Sequence, residues 1–247
     1  MSSNWFTHGG ASYASHRPDY PPALAEWLAE VTPTRGVAVD AGCGSGQLTV
    51  QLAQHFERVI GTDPSASQVV HAAPHANVSY LCAPAERLPL ATGCADLITA
   101  AQAAHWFDMP AFCAEAARIA RPGAVVALVT YGVLHVADDE IDGIVQDFYH
   151  RVIGPWWPAE RRHVETGYRE LHFPFAALAA PRLAIERDWN LADLLGYIGT
   201  WSAIKAAAQA GEGTRLDAFA RALHDAWSDP QHARRITWPL ALRAGRV

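Results

Sequence analysis

The stretch "VDAGCGSGQ", residues 39–47, sets three glycines in alternation behind a short apolar run. That run, "GVAVDAG" (36–42), predicts a buried strand that ends in a tight turn, and "QLTVQLAQHF" (47–56) has the apolar spacing of a helix. Glycines permit backbone dihedrals that other residues avoid, and they let a ligand approach the chain closely. The stretch therefore predicts a strand, a ligand-binding turn and a helix.

Strands and helices continue to alternate along the first half of the chain. We predict further strands at 58–63, 78–83, 94–102 and 124–132, a turn at "RPG" (121–123), and helices at 23–31, 64–73 and 109–120. This alternation is typical of a parallel sheet with helices on both faces, where ligands bind beyond the carboxyl ends of the strands. The loops that follow Asp40, Asp63, Ala83 and Ala101 should therefore meet at one crevice.

The pattern changes after residue 133. Residues 138–168 look helical and then irregular, are rich in aromatic side chains, and follow the fifth strand, where a lid over the crevice would lie. Beyond them we predict a strand at 181–190, helices at 191–210 and 215–227, and a closing strand at 235–246. We interpret residues 1–247 as a single domain that comprises N-terminal covering helices (1–35), a ligand-binding core (36–132), a lid (133–180) and C-terminal strands and helices (181–247).

The composition limits the class of protein. Half of the 247 residues are hydrophobic, which is enough for one large domain with a substantial core. The apolar runs are short compared with the roughly 20 residues that cross a bilayer, and "MSSNWFTHGGASY" (1–13) lacks the pattern of a secretory signal. The four cysteines form no CxxC pair, and the twelve histidines show no metal-ligand spacing. We therefore expect free thiols, a cytoplasmic location and no metal site.

The net charge of −6 is unevenly distributed. Residues 1–160 hold 7 arginines and 16 acidic residues, whereas residues 161–247 hold 12 basic and 9 acidic residues. The difference is either ordinary surface variation or an adaptation of the C-terminal part to an anionic substrate. Neither part has the basic stripe of a nucleic-acid binder, so we expect a small-molecule substrate and neither nucleic-acid nor membrane partners. A monomer and a homodimer both stay open.

Asp40 stands immediately before the glycine turn and restricts the ligand. The glycines at 42, 44 and 46 give GxGxG, whereas the dinucleotide fingerprint is GxGxxG. A carboxylate at this place also repels a pyrophosphate, because like charges repel strongly in a crevice of low dielectric constant. A ligand with an ammonium and a sulfonium and no phosphate fits better, and S-adenosylmethionine is such a ligand.

Two more acidic residues follow neighbouring strands. Asp63 ends the second predicted strand, 19 residues after Gly44, where a carboxylate can accept hydrogen bonds from both ribose hydroxyls. In "APAERLP" (83–89), a backbone amide and a polar side chain could hold an adenine edge. Alone, Asp63 could be a helix cap and Glu86 a solvated surface acid. Their spacing relative to the glycine turn favours a shared ligand.

At this point several motifs carry a family resemblance. They are "ASYASHRPDYP" (11–21), "VDAGCGSGQ" (39–47), "GTDPSASQV" (61–69), "AAQAAHWFD" (100–108), "GTWSAI" (199–204) and "ITWPLALRAGR" (236–246). Together they make the chain similar to class I S-adenosylmethionine-dependent methyltransferases, and more narrowly to the trans-aconitate methyltransferase-like branch. The resemblance implies a Rossmann-like α/β fold with a seven-stranded, mostly parallel sheet, whose last strand is antiparallel, and a helical lid or insertion.

The resemblance also implies roles for individual residues. The methionine end of the cofactor would lie against Asp40, Gly42, Gly44 and Gln102, the ribose against Asp63, and the adenine against Ala85 and Glu86, with Tyr13 covering the cofactor and Arg17 nearby. The implied activity is methyl transfer from S-adenosylmethionine to a small molecule, with S-adenosylhomocysteine as the product.

The residues that would meet the substrate lie in two segments. His105 follows the fourth strand and either orients or deprotonates the substrate, or only packs at a helix start. Trp106 would form a pocket wall or pack under the next helix. In "GPWWPAERRH" (154–163), Trp156 offers apolar cover, and Arg161 and Arg162 either bind a substrate carboxylate or remain solvated.

Three other functions are considered. A nicotinamide-dependent oxidoreductase conflicts with the GxGxG spacing and with Asp40. A non-catalytic S-adenosylmethionine-binding sensor or scaffold would use the same crevice and stays an alternative. The third is a methyltransferase of RNA or protein, and the acidic N-terminal part argues against RNA. Because "AQAAHW" (101–106) replaces the Asn-Pro-Pro-aromatic segment common in amino-methylating enzymes, we expect an oxygen acceptor such as a carboxylate.

Overall fold

The computed structural model describes residues 18–247. In chain order its helices and strands are α1 (Pro22–Val31), β1 (Val37–Ala41), α2 (Gln47–Leu52), β2 (Arg58–Asp63), α3 (Ala66–Val70), β3 (Val78–Cys82), β4 (Ala95–Ala101), α4 (Met109–Ile119), β5 (Ala120–Tyr131), β6 (His135–Val136), α5 (Asp139–Asp147), α6 (Arg161–Glu165), β7 (Ala176–Leu178), β8 (Ala184–Trp189), α7 (Leu191–Ile198), α8 (Ser202–Gln209), α9 (Gly213–Trp227) and β9 (Arg234–Arg246). Single 3-10 turns lie at Ala104–Trp106 and Gly154–Trp156, and a π-helical turn at Phe148–Val152.

From Asp19 onward, the described residues group into two compact units. We call the first the sheet unit; it comprises Asp19–Gly132, Arg162–Ala184 and Pro239–Val247. We call the second the helical unit; it comprises Val133–Arg161 and Ile185–Trp238. The interpretation of residues 1–247 as one domain stays a prediction.

The sheet unit is built on seven strands in the order β3-β2-β1-β4-β5-β9-β7. Neighbouring strands from β3 to β5 are parallel, and β9 is antiparallel to both β5 and β7. The prediction of a mostly parallel sheet with an antiparallel last strand is therefore confirmed, and the full sheet has nine strands instead of the predicted seven. Strands β6 and β8 also pair with β9.

The core explains why the central strands read as continuous apolar runs. Val39 in β1, Ile98 in β4 and Val126 in β5 are fully buried in one cluster with Phe112 of α4. Strands that helices cover on both faces lose the alternation of polar and apolar residues, which is retained in part by the edge strand β3. The carboxyl ends of β1 to β4 therefore form a rigid base for the loops that follow them.

Several boundaries differ from the predictions: α2, α3 and β8 are shorter than predicted, and two other differences change the assignment of a segment. The segment "RPG" (121–123), predicted as a turn, lies inside β5, where Gly123 has a φ of +82° and its N–H donates to the Val247 carbonyl at 3.1 Å. The helix predicted over 191–210 is two helices, α7 and α8, separated at 199–201. Trp201 has an extended backbone there, and its ring packs against those of Tyr149 and Trp157 in the helical unit.

Among residues 18–247, no helix combines the length and the apolar character of a membrane span. The four cysteines are all free, as the sequence predicts.

Candidate functional site

The glycine turn folds back onto the end of β2. The N–H groups of Gly42 and Cys43 both donate to the Thr62 carbonyl, at 2.7 and 2.9 Å. Gly42, Gly44 and Gly46 have φ angles of +70°, +54° and +87°, a region that side chains with a Cβ rarely adopt. All three glycines are therefore needed for the path of the turn.

The three glycines face different surroundings. A Cβ on Gly42 would lie 2.6 Å from the Cβ of Ala103, and a Cβ on Gly46 would overlap the Tyr80 hydroxyl. A Cβ on Gly44, in contrast, would meet no atom within 4 Å. Gly42 and Gly46 thus serve packing within the protein, whereas the space beside the Cα of Gly44 is open.

Asp63 joins the glycine turn to the start of α3. Its Oδ2 accepts from the N–H of Gly44 at 3.0 Å, and its Oδ1 accepts from the N–H of Ser65 at 2.8 Å. The carboxylate is half-buried, and each oxygen retains a second lone pair for a further donor. The two loops that the sequence placed at one crevice are therefore joined through Asp63.

Asp40 lies below the turn rather than on its surface. Only 1% of the residue is exposed, and its two carboxylate oxygens accept from the Thr49 hydroxyl at 2.7 Å and the Thr99 hydroxyl at 2.9 Å. Burial raises the pKa of Asp40 to about 6, against the lowering effect of these two hydrogen bonds. Any effect of Asp40 on a ligand would therefore act through space, as a buried charge.

Burial also raises the pKa of the Cys43 thiol, and the nearby carboxylates of Asp40 and Asp63 add to this effect. The thiol is therefore neutral at physiological pH. Tyr80, which fills the space beside Gly46, donates its hydroxyl hydrogen to the Ala73 carbonyl at 2.8 Å. Burial raises the pKa of Tyr80 to about 12, so this hydroxyl also stays neutral.

Glu86 links the loop after β3 to the loop after β4. Its Oε1 accepts from the N–H of Asp108 at 2.9 Å, and Asp108 in turn caps α4 by accepting from the N–H of Ala111. Ala85 beside it is 3% exposed. Glu86 is thus half-buried and bonded within the protein, instead of being a fully solvated surface acid.

Gln102 lies at the end of β4 with a φ of +52°. Its Nε2 donates to the Tyr131 carbonyl at 3.0 Å, and its Oε1 accepts from the Thr130 hydroxyl. The side chain therefore bonds the ends of β4 and β5 together. The N–H of Gln102 also donates to the Val129 carbonyl at 2.8 Å, so the main chain and the side chain of Gln102 are both bonded to β5.

His105 lies in the 3-10 turn after β4, next to the glycine turn. A Cβ on Gly42 would lie 2.6 Å from the Cβ of Ala103 and 3.1 Å from Cζ of Phe107, which flank His105 in the chain. His105 is half-buried, and its Nδ1 lies 2.8 Å from the hydroxyl oxygen of Tyr168. Trp106 is 62% exposed, so packing under the following helix is wrong for this side chain.

Tyr168 is not predicted from the sequence as a site residue. It is fully buried in the core of the sheet unit and lies 63 positions from His105 in the chain. It occurs in a stretch, "ETGYRE" (165–170), with no motif or period that marks a functional residue. Only the preceding Gly167, with a φ of +61°, gives a local hint of an unusual turn.

The proposed lid residues have well-defined contacts within their own units. The Nε of Arg161 donates to the Tyr149 hydroxyl at 2.7 Å, and its guanidinium carbon lies 4.7 Å from the centre of the Trp157 ring. Trp156 is half-buried in a 3-10 turn of the helical unit. Arg162 belongs to the sheet unit and is exposed.

Two predicted site residues lie outside the part of the chain that the structure describes. Tyr13 and Arg17 lie outside residues 18–247, so their predicted roles at the cofactor are untested. Within residues 18–247, His, Cys, Asp and Glu side chains form no group of three that could hold a metal ion.

A cavity of about 750 Å³ lies in the helical unit between α5 and α9. Ile144, Phe148 and Phe219 contribute to its apolar walls, and Asp139, Glu140 and Asp147 are acidic residues in its lining. None of the predicted site residues within 18–247 lines this cavity.

Comparisons with known proteins converge on one family. A methyltransferase domain family matches residues 39–128, which contain the glycine turn, Asp63, Glu86 and His105. A Dictyostelium discoideum protein named as a methyltransferase is 34% identical over 203 residues, covering 81% of this chain and 77% of that protein. A malonyl-[acyl-carrier protein] O-methyltransferase from Dechloromonas aromatica is 30% identical over 204 residues, covering 80% of this chain and 72% of its own length.

A solved structure gives the same result in three dimensions. It is described as a type II methyltransferase from Anaeromyxobacter dehalogenans and is 50% identical to this chain. The superposition covers 93% of this chain and 97% of the other, with a TM-score of 0.88. The likeness thus extends well beyond the glycine turn to nearly the whole chain.

Proposed function

Since this chain belongs to the class I S-adenosylmethionine-dependent methyltransferases, we propose that it methylates a carboxylate oxygen of a small molecule, as a member of the trans-aconitate methyltransferase-like branch. Its methyl donor is S-adenosylmethionine. The acceptor, the branch and the role of each residue are the parts that we propose.

The residues at the carboxyl ends of the strands fit this donor. The open space beside the Cα of Gly44, where a Cβ would meet nothing within 4 Å, suits the close approach of an amino-acid group. The free lone pairs of Asp63 suit ribose hydroxyls, and the buried charge of Asp40 favours a cation above it. We propose that Gly42, Ala85, Glu86 and Gln102 complete this site through their main chains and packing. Tyr13 and Arg17 are proposed to cover it.

One observation carries the proposed role of His105. The turn that holds His105 packs directly on the glycine turn, because Ala103 and Phe107 fill the space beside Gly42. A histidine fixed at this place can hold a substrate next to the donor. The donor supplies a methyl carbon activated on a sulfonium, and a carboxylate oxygen that accepts it releases no proton, so alignment is the main requirement. His105 and the exposed ring of Trp106 are proposed to provide that alignment.

The choice of a carboxylate has two supports. The name of the Dechloromonas aromatica relative specifies O-methylation of a malonyl group, which carries a free carboxylate. In this chain, Arg161 is held on the Trp157 ring and the Tyr149 hydroxyl through its Nε, and its two terminal nitrogens have no hydrogen-bond partner within residues 18–247. A guanidinium held in this way can still donate two parallel hydrogen bonds from its terminal nitrogens to a planar anion such as a carboxylate. We propose that Arg161 binds a carboxylate of the substrate, with Trp156 as apolar cover and with Arg162 contributing charge.

The acceptor is tested by product analysis. The purified protein is incubated with S-adenosylmethionine and matched sets of small carboxylates, phenols and amines, and the products are identified by mass spectrometry. We expect methyl esters of carboxylates that carry more than one acidic group. Methylated phenols or amines without any ester would contradict the proposed acceptor.

The arginines are tested by steady-state kinetics on the best carboxylate. Loss of a charge-assisted hydrogen bond in Arg161→Gln should raise KM by about 10- to 100-fold, with the affinity for S-adenosylmethionine unchanged. Arg162→Gln should have a smaller effect, because this side chain is exposed. The matched control is Arg221→Gln, which removes an exposed arginine of α9. If KM for Arg161→Gln equalled that of the control, Arg161 would not bind the substrate.

A further inference from the structure

Tyr168 is placed on His105 by a turn that is held at several points. Gly167 and Tyr168 both have a φ of +61°, and a Cβ on Gly167 would lie 2.8 Å from the Cβ of Ala241 on β9. The N–H of Tyr168 donates to the His163 carbonyl at 2.8 Å. A tyrosine rarely adopts this backbone conformation, so the surrounding contacts must fix it.

Arg243 supplies the strongest of these contacts. Its Nη1 donates to the Tyr168 carbonyl at 2.6 Å and to the Leu171 carbonyl at 2.8 Å, so one side chain of β9 binds both ends of the turn. The guanidinium also lies over the Phe173 ring, 4.8 Å from its centre. Burial lowers the pKa of Arg243, against the small raising effect of the Cys113 thiol. The turn that carries Tyr168 is therefore part of the rigid sheet unit.

The result is a fixed pair of polar groups beside the glycine turn. The Tyr168 hydroxyl lies 2.8 Å from Nδ1 of His105, with the ring centres 6.0 Å apart. A hydroxyl can donate or accept, so the direction of this bond decides which nitrogen of a neutral imidazole carries the proton. A neutral imidazole nitrogen is a far better acceptor than a phenol oxygen, which favours donation from Tyr168 to Nδ1.

We infer that Tyr168 is a positioning residue that donates its hydroxyl hydrogen to Nδ1 of His105 and so holds the neutral ring in the tautomer with the proton on Nε2. What this tautomer means for catalysis rests on the proposed function. In that tautomer Nε2 is a donor and not an acceptor, so His105 contributes to the proposed reaction as a hydrogen-bond donor and not as a base. That role matches an acceptor that has no proton to lose.

The tautomer is measured directly by NMR of the histidine ring nitrogens in protein labelled with 15N-histidine, above the pH at which the ring titrates. His105→Gln identifies the His105 signals. We expect Nδ1 to be unprotonated and Nε2 protonated in the wild-type protein, and Tyr168→Phe to shift both signals toward the average of the two tautomers. A proton on Nδ1 in the wild-type protein would overturn the inference, whether or not the variant folds.

Kinetics give a second test. Tyr168→Phe should lower kcat for the best carboxylate by about tenfold, the cost of one well-placed hydrogen bond, without changing the affinity for S-adenosylmethionine. The matched control is Tyr197→Phe, which removes a buried tyrosine hydroxyl that accepts from Trp238 Nε1 at 3.1 Å in the helical unit. An equal effect of both variants on kcat, with unchanged ring signals in Tyr168→Phe, would refute the assignment.

The two proposals fail separately. The ring signals do not depend on any acceptor. If they show the expected tautomer while no carboxylate is esterified, the proposed function is wrong and the Tyr168–His105 assignment stands. If carboxylates are esterified while Tyr168→Phe changes neither the ring signals nor kcat, the assignment is wrong and the proposed function stands.

Discussion

At the scale of single residues, Asp40 makes a prediction about pH. Burial raises its pKa to about 6 in the folded protein, above about 4 in an unfolded chain. The folded state thus binds the proton more tightly, and the resulting stabilisation is fully present below pH 4 and lost as pH rises through 6. Without cofactor, the difference in unfolding free energy between Asp40→Asn and the wild type should change by about 2–3 kcal/mol between pH 4 and 7.

Urea denaturation of both proteins at a series of pH values measures this difference. The direction is specific: the variant should gain relative stability as pH rises, because it lacks a carboxylate that must ionise in the core. A difference that is constant across the range would show that Asp40 titrates normally.

Gly44 gives a prediction that separates backbone strain from ligand contact. Gly44→Ala forces a positive φ on alanine, at a cost of about 1–2 kcal/mol, and its methyl group projects into open space. Gly123→Ala is a matched control, since Gly123 also has a positive φ and an open Cβ position in the same unit. Both variants should lose similar thermal stability, but only Gly44→Ala should weaken S-adenosylmethionine binding, by at least about tenfold. Equal affinities would place the ligand elsewhere.

The positions of some site residues can be predicted from the sequence, and those of others cannot. The glycines and Asp63 occur in one short motif and at the end of the next strand, so spacing alone brings them together. The bonds of Gln102 to β5 and of Glu86 to Asp108 depend on side-chain direction, which spacing does not determine. Tyr168 reaches His105 only through the path of a turn bound by Arg243, and no local pattern encodes that path.

At the scale of elements, the central strands were predicted better than the peripheral ones, since β6 and β7 were not predicted. The buried strands β1, β2 and β4 are short apolar runs bounded by glycine or polar residues, and their predicted bounds lie within a residue or so of the observed ones. The prediction of one continuous helix over 191–210 was wrong, because the helical spacing of apolar residues continues through 199–201, where the structure separates α7 from α8. Packing of Trp201 against Tyr149 and Trp157 ends α7, and those partners are distant in sequence.

Helix α7 carries its own start signal, which allows a stability prediction. The Asn190 side chain accepts from the N–H of Asp193, and the Asp193 side chain accepts from the N–H of Asn190. Asn190→Ala should therefore reduce the free energy of unfolding by about 1 kcal/mol, the usual cost of an N-cap. Chemical denaturation measures it, and Gln231→Ala, an exposed residue in the same unit, is the control. A cost no larger than that of the control would mean that packing alone fixes the start of α7.

At the scale of the whole molecule, the likeness to a solved methyltransferase structure covers nearly the whole chain, whereas the proposed cofactor site occupies one edge of one sheet. The loops after β1, β2, β3 and β4 meet through Asp63, Glu86 and the packing of Ala103 on Gly42. The central claim is that this edge binds a cationic ligand without phosphate. The methyl acceptor differs among methyltransferases, and few residues determine which acceptor is bound. The sequence therefore specifies the methyl donor better than the acceptor.

The most direct test is calorimetric titration of the purified protein with S-adenosylmethionine, S-adenosylhomocysteine and, as a control, NADH. We predict micromolar binding of both sulfur ligands and none of NADH. Binding should be lost in Asp63→Ala and kept in Asp225→Ala, which removes an exposed carboxylate of α9. Binding of NADH in place of the sulfur ligands, or undiminished binding by a folded Asp63→Ala protein, would contradict this account of the glycine turn and its neighbouring carboxylate.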